Sequence, residues 1–187
     1  MRLFVALPLS EDARARLAAL QSGVPGARWV GKDNLHVTLR FIGETDRHGA
    51  EELDAGLAGI RAPAFGLTLA RVGFFDRGRY AHTLWAGVER PEPVVFLRDK
   101  IESVAVRAGL APERRKFSAH VTLARLDDVP SVRLGPYLET RHGFAAGPYP
   151  IVNFTLFESR PGGDGVHYEP LAEYPLDLLE PQSVMSR

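Results

Sequence analysis

The tetrapeptide HVTL occurs twice in this chain: at 36–39, inside NLHVTLRFIGE (34–44), and at 120–123, inside FSAHVTLARL (117–126). Each copy sets a histidine and a threonine two residues apart in a run that otherwise reads as a buried strand. On a strand, residues two apart project from the same face. His36 and Thr38 therefore point one way, with Val37 and Leu39 behind them. His120 and Thr122 do the same, with Val121 and Leu123 behind. The two histidines are far apart in the chain, so only the fold can bring them together.

If the two faces meet, the chemistry is constrained. Imidazoles with an ordinary pKa of about 6.5 can be held one neutral and one protonated at neutral pH. The neutral ring takes a proton from a nucleophile, and the charged ring gives one to a leaving group. Such transfers contribute on the order of 10² to 10⁴ in rate each. The two threonine hydroxyls can hydrogen-bond charged non-bridging oxygens between them. Two imidazoles and two hydroxyls suit in-line displacement at phosphorus, with no metal required.

A zinc site is the competing reading of paired histidines. It is weak here, because neither motif has a carboxylate at ligand spacing and the chain has no cysteine. Asp127 and Asp128 follow the second motif in a context more typical of a turn. His48, His82, His142 and His167 have no repeated context and read as surface or loop residues.

The elements that must position the motifs can be sketched from periodicity and punctuation. RLFVAL (2–7) reads as a strand ended by Pro8. Ser10 caps a helix with Glu11 and Asp12 in its first turn and Leu17 and Leu20 on its apolar side, closed by Gly23 and Pro25. A second helix is expected over 47–60, with Leu53, Leu57 and Ile60 at helical spacing. FGLTLARVGFF (65–75) and HTLWAGV (82–88) read as a hairpin around DRGR. VVFLRDKIESVAVRAG (94–109) reads as a third helix with Gly109 at its end. SVRLGPYLETR (131–141) reads as a short broken helix. YPIVNFTLFESR (149–160) and VHYEPLAEYPL (166–176) read as strands joined by PGGDG.

Mixed helices and strands with frequent hairpins predict an α+β fold with antiparallel sheets. One HVTL strand in each half suggests two pseudo-symmetric lobes. A single domain is expected over 1–175, followed by a flexible tail over 176–187.

The bulk properties narrow the class. The 187 residues are 45% hydrophobic and 25% charged, with a formal net charge of zero. No global field favours nucleic acid or an anionic membrane, so a grip on a polyanion must be local. The absence of cysteine excludes thiolate catalysis and disulfides. No run approaches the roughly 20 apolar residues that span a bilayer. MRLFVALPLSED is too short and too soon acidic for a secretory signal, so a soluble, cytoplasmic, monomeric protein is expected.

The paired motifs, together with RLFVALPLSE, WVGKDNLHVTLRFIGE and LWAGV, resemble the bacterial and archaeal RNA 2′,3′-cyclic phosphodiesterases, also called 2′-5′ RNA ligases. These belong to the two-histidine (2H) phosphoesterase superfamily. The resemblance covers about Arg2 to Tyr168. It implies a bilobal α+β fold, two lobes each with an antiparallel sheet and flanking helices and an active-site cleft between them, and metal-independent, cofactor-free hydrolysis of RNA 2′,3′-cyclic phosphate ends, or of small cyclic nucleotides, to 2′-phosphates. His36 is similar to the proton donor and His120 to the proton acceptor. Thr38 and Thr122 are similar to the phosphate-holding hydroxyls, and Arg125 to an arginine that aids phosphate binding. Strict alternation points Arg125 away from His120, so that role needs a bulge or strand end nearby. The family usually has proline before the second histidine, where this chain has Ala119. The alternatives are ATP-independent 2′-5′ end joining, the reverse reaction at the same site, and a non-catalytic RNA-end binding module. Nothing in the sequence resembles a glycine-rich phosphate loop, which is consistent with an ATP-free reaction.

Overall fold

The computed structural model describes residues 1–163 and 165–178. Among the described residues, nine strands and four α-helices follow one another as β1 (Arg2–Pro8), α1 (Glu11–Ala18), β2 (Arg28–Trp29), β3 (His36–Glu44), α2 (Arg47–Ala58), β4 (Phe65–Arg77), β5 (Tyr80–Glu89), α3 (Glu92–Arg107), β6 (His120–Pro130), α4 (Gly135–Arg141), β7 (Ala145–Ile151), β8 (Asn153–Gly162) and β9 (Gly165–Pro175).

The helices form where the sequence places caps and apolar stripes. Ser10 Oγ accepts the Ala13 amide at 3.2 Å, and α1 buries Ala13 and Leu17. Asp46 caps α2 by accepting from the Gly49 amide at 2.8 Å. In α3, Val94, Leu97, Ile101, Val104 and Ala105 fall on one buried side, the three-and-four spacing of an amphipathic helix. Two expectations shift. Helix α1 stops at Ala18 instead of reaching Gly23. The strand expected over 149–160 is two strands, β7 and β8, broken at Val152. Its halves serve different neighbours: β7 pairs with β4, and β8 pairs with β1. As the outermost strand of the path, β7 tolerates Pro148 and Pro150, which have no amide to donate.

All pairing between named strands is antiparallel, along the path β7-β4-β5-β6-β3-β1-β8-β9, with β2 added to β6. The two expected sheets are thus one continuous hydrogen-bonded path made of two four-strand groups. The groups repeat a topology. Strand, helix, HVTL strand and helix run as β1-α1-β3-α2 in one half and β5-α3-β6-α4 in the other. The HVTL strands β3 and β6 are the innermost members, and among the described residues they pair only at Val37↔Val121. Helix α3 packs on β3 with α2 against it, while α1 packs on β7 and α4 on β4.

The main core contains all four apolar residues of the two motifs. Val37, Leu39, Val121 and Leu123 are each no more than 2% exposed. Burying each is worth about 1.5–3 kcal/mol. A one-residue slip of both strands would turn all four outward and lose about 6–12 kcal/mol, comparable with the whole stability of a typical domain. The orientation of the polar motif residues is therefore fixed by the apolar ones. Leu176 is buried, and Asp177 donates its amide to Ala62 O at 2.8 Å. The start of the expected tail is accordingly part of the fold, and residues 179–187 lie outside the described residues.

Candidate active site

In the antiparallel pairing of Val37 with Val121, the residue before one valine stands across from the residue after the other. His36 thus lies across from Thr122, and Thr38 across from His120. Both valines are fully buried, so the four polar side chains point to the opposite face. All four are half-buried. The two imidazoles occupy a diagonal of the ladder, where cross-strand side chains come within about 7–8 Å.

Each imidazole is aimed by the backbone two residues upstream. His36 Nδ1 is 2.7 Å from Asn34 O, and His120 Nδ1 is 2.7 Å from Ser118 O. A carbonyl can only accept, so each Nδ1 carries the hydrogen and each Nε2 is left for chemistry. At His36, Nε2 is 2.8 Å from Thr38 Oγ1, and in the neutral ring it accepts that hydroxyl's proton.

Both strands bulge at the same place. Pairing steps from Ala6↔Thr38 to Val5↔Arg40, and from Trp85↔Thr122 to Leu84↔Ala124. Leu39 and Leu123 are the extra residues. The bulge resets the alternation, so Leu123 and Ala124 are both buried and Arg125 returns to the face of Thr122. This is the distortion that the sequence required of Arg125. The Leu123 carbonyl accepts from the Val30 amide at 2.9 Å and from Gln21 Nε2 at 3.0 Å, which holds the bulge. Arg125 Nη1 donates to Thr83 Oγ1 at 3.0 Å. Its positive charge depresses the pKa of both histidines.

The walls are aromatic, and the sequence reading missed them. Phe4 and Tyr168 lie 5.0 and 5.3 Å from the His36 ring, centroid to centroid. Phe41, next to Phe4, is 61% exposed. Phe75 meets His120 edge-on at 4.9 Å and also contacts Trp85. A Cβ on Gly73 would lie 2.4 Å from the Trp85 ring, so only glycine leaves the indole its place. These rings come from β1, β3, β4, β5 and β9, which are far apart in sequence. Spacing gave no signal for them.

Burial among these rings is the main cause of the low pKa of both histidines. His36 is lowered to about 4, first by desolvation, then by the charges of His120 and Arg125, against a raising effect of the Asn34 carbonyl. His120 is lowered by desolvation and by Arg125, against the Ser118 carbonyl. In the free protein at neutral pH, both rings are therefore neutral.

Beneath the site, Arg40 is 8% exposed and donates to Glu102 at 2.5 Å and to the Phe41 and Ala111 carbonyls at 2.7 Å each. It ties β3 to α3 and to the segment leading into His120. Ala119, which stands where proline is usual, packs partly buried against the main core. Among the described residues no group of three or more His, Asp or Glu is placed to hold a metal ion. No helix among them is long and apolar enough to cross a membrane.

The chain is similar to known proteins. The family model described as LigT-like phosphoesterase matches residues 7–85 and 88–168. The RNA 2′,3′-cyclic phosphodiesterase of Escherichia coli strain K12 is 32% identical over 179 residues, covering 94% of this chain and 96% of the relative. The enzyme of the same name from Aeropyrum pernix is 37% identical over 115 residues, covering 61% of this chain and 65% of that protein. The crystal structure of E. coli LigT complexed with 3′-AMP superposes with a TM-score of 0.75 at 29% identity, covering 94% and 97% of the two chains.

Proposed function

The chain belongs to the LigT-like phosphoesterase family, and from that premise and its four-residue polar face we propose that it hydrolyses RNA 2′,3′-cyclic phosphate ends to 2′-phosphates. The observation that carries this reading is the Val37↔Val121 register, with two imidazoles and two hydroxyls on one side of it. The relatives' names and the 3′-AMP complex of E. coli LigT support a nucleotide or RNA end as the ligand.

In the proposed reaction, water attacks phosphorus in line with the P–O3′ bond. Neutral His120 Nε2 takes a proton from the water. Protonated His36 gives its Nε2 proton to the departing O3′. The products are a 3′-hydroxyl and a 2′-phosphate. Thr38, Thr122 and Arg125 hold the non-bridging oxygens, whose charge grows in the transition state. The donor must be charged, although His36 is neutral in the free site. The bound phosphate anion supplies the missing stabilisation, because its attraction for an imidazolium is strong where water is largely excluded. Protonating Nε2 also ends its role as acceptor for Thr38, so that hydroxyl becomes free to donate to the phosphate. An imidazolium formed against desolvation is a stronger acid than one in water, which suits a leaving alkoxide.

The direct test is incubation of the purified protein with a 2′,3′-cyclic mononucleotide, with the product identified by chromatography against authentic standards. The 2′-phosphate is expected. No turnover, or the 3′-phosphate as product, would reject the reading.

A further inference from the structure

Arg125 also lines a pocket that none of His36, Thr38, His120 and Thr122 lines. Between Ala81↔Val129 and Thr83↔Arg125, β5 advances two residues while β6 advances four. The surplus residues of β6 bow out, and Asp128 adopts the left-handed φ of +49°. The bow and the end of the β4–β5 hairpin enclose a pocket of about 470 Å³, whose lining includes Arg28, Arg77, Tyr80, His82, Arg125 and Asp128.

The pocket is joined to the catalytic face by a buried hydroxyl. Thr83 is 2% exposed. Its Oγ1 accepts from Arg125 Nη1 at 3.0 Å and lies 3.0 Å from His82 Nδ1. Thr83 Oγ1 thus links Arg125 to His82. The charge in the pocket is positive on balance. Arg28 is paired with Asp127 at 2.9 Å, and Asp128 is the lining carboxylate. Arg77 and Arg125 make no ion pair among the described residues. Arg77 pairs across the hairpin with Tyr80, three residues along β5 from Thr83, about 10 Å at roughly 3.3 Å per residue.

We infer that this pocket is a subsite for the backbone phosphate upstream of the cyclic end, so that an oligonucleotide is preferred to a mononucleotide. The inference rests on the reading of the four-residue face as a cyclic-phosphate site. An RNA with a cyclic phosphate continues only through the 5′ side of its last nucleotide. The next phosphodiester, or the one beyond it, must then lie along a surface that begins at the bound end. Guanidinium groups with free N–H forks match phosphate oxygens. Arg125 marks the common border, and Arg77 is the free cation farther out.

The test compares kcat/KM for a 2′,3′-cyclic mononucleotide and for a short RNA ending in the same cyclic phosphate, in wild type and in Arg77→Glu. Arg77 is exposed, and a thermal melt checks that the variant folds. Wild type should favour the RNA by about tenfold or more. Arg77→Glu should remove most of that preference and leave the mononucleotide value within about a factor of two. The wild-type preference should also shrink between about 50 and about 200 mM salt, and the variant's should change less. An unaltered preference in Arg77→Glu, equal losses on both substrates, or no wild-type preference would each overturn the subsite. Failure of the wild type on the mononucleotide and the RNA alike would instead remove the cyclic-phosphate reading beneath it.

Discussion

Val37 and Val121 are paired across the junction of β3 and β6, and both side chains are fully buried. This contact fixes the relative position of the two His-x-Thr faces. Val37→Ala or Val121→Ala should each cost about 2 kcal/mol in urea unfolding, from lost burial and the cavity left behind. Because the two residues touch, the double variant should depart from the sum of the single costs by about 0.5 kcal/mol or more. Strict additivity would show that the pair is not a unit.

His36→Ala and His120→Ala should each lower turnover of a 2′,3′-cyclic nucleotide by on the order of 10² to 10⁴. A p-nitrophenyl phosphodiester separates the roles, because its leaving group departs without a proton. The variant lacking the donor should regain much of its lost rate on it, and the variant lacking the base should not. His36→Ala is the expected beneficiary. Rescue of His120→Ala would reverse the assignment, and equal behaviour of the two would leave acid and base undivided.

Thr38→Val and Thr122→Val should cost less than the histidine variants. Each removes one hydrogen bond to a phosphate oxygen while other donors remain. A charge-assisted bond of that kind is worth about 1.5–3 kcal/mol, roughly 10- to 150-fold in kcat if it is fully expressed in the transition state. A threonine variant as impaired as a histidine variant would contradict a simple holding role.

The duplicated tetrapeptide made the polar face legible because strand alternation is a local property. Burial of Val37, Leu39, Val121 and Leu123 then settled which way the face points. Arg125 was harder. Its orientation depends on the bulge at Leu123, which is held by Gln21 and the Val30 amide from another part of the chain. The aromatic walls were not legible, since Phe4, Phe75, Trp85 and Tyr168 meet the histidines only through strand order. The split of β7 from β8 was hidden for a related reason: the apolar run is continuous, but the chain changes partners at Val152.

A metal-free mechanism has a direct check. Hydrolysis of the cyclic nucleotide should proceed at the same rate after dialysis against EDTA. Loss of activity, restored by one divalent ion, would show that the histidines are metal ligands.

The low pKa of the histidines predicts how the protein couples to protons. The folded-state pKa of His36 is about 4, below its ordinary value of 6.5. The unfolded chain therefore binds more protons at this site between those two values, and stability falls as pH drops from about 6.5 to about 4. Above about 6.5 the site adds no slope. His120 is lowered as well and acts in the same direction. Urea unfolding across this range should show the loss, on the order of 3 kcal/mol for His36, and His36→Asn should abolish its share. Ligand binding should reverse the sign of the coupling. A nucleotide 3′-phosphate stabilises an imidazolium, so binding near pH 7 should take up protons. Calorimetric titrations in buffers of different ionisation enthalpy measure that uptake directly. An uptake approaching one proton per ligand in the wild type, and much less in His36→Asn, is the expected result. Zero uptake in the wild type would mean that the phosphate does not charge His36, and its role as proton donor would have to be abandoned.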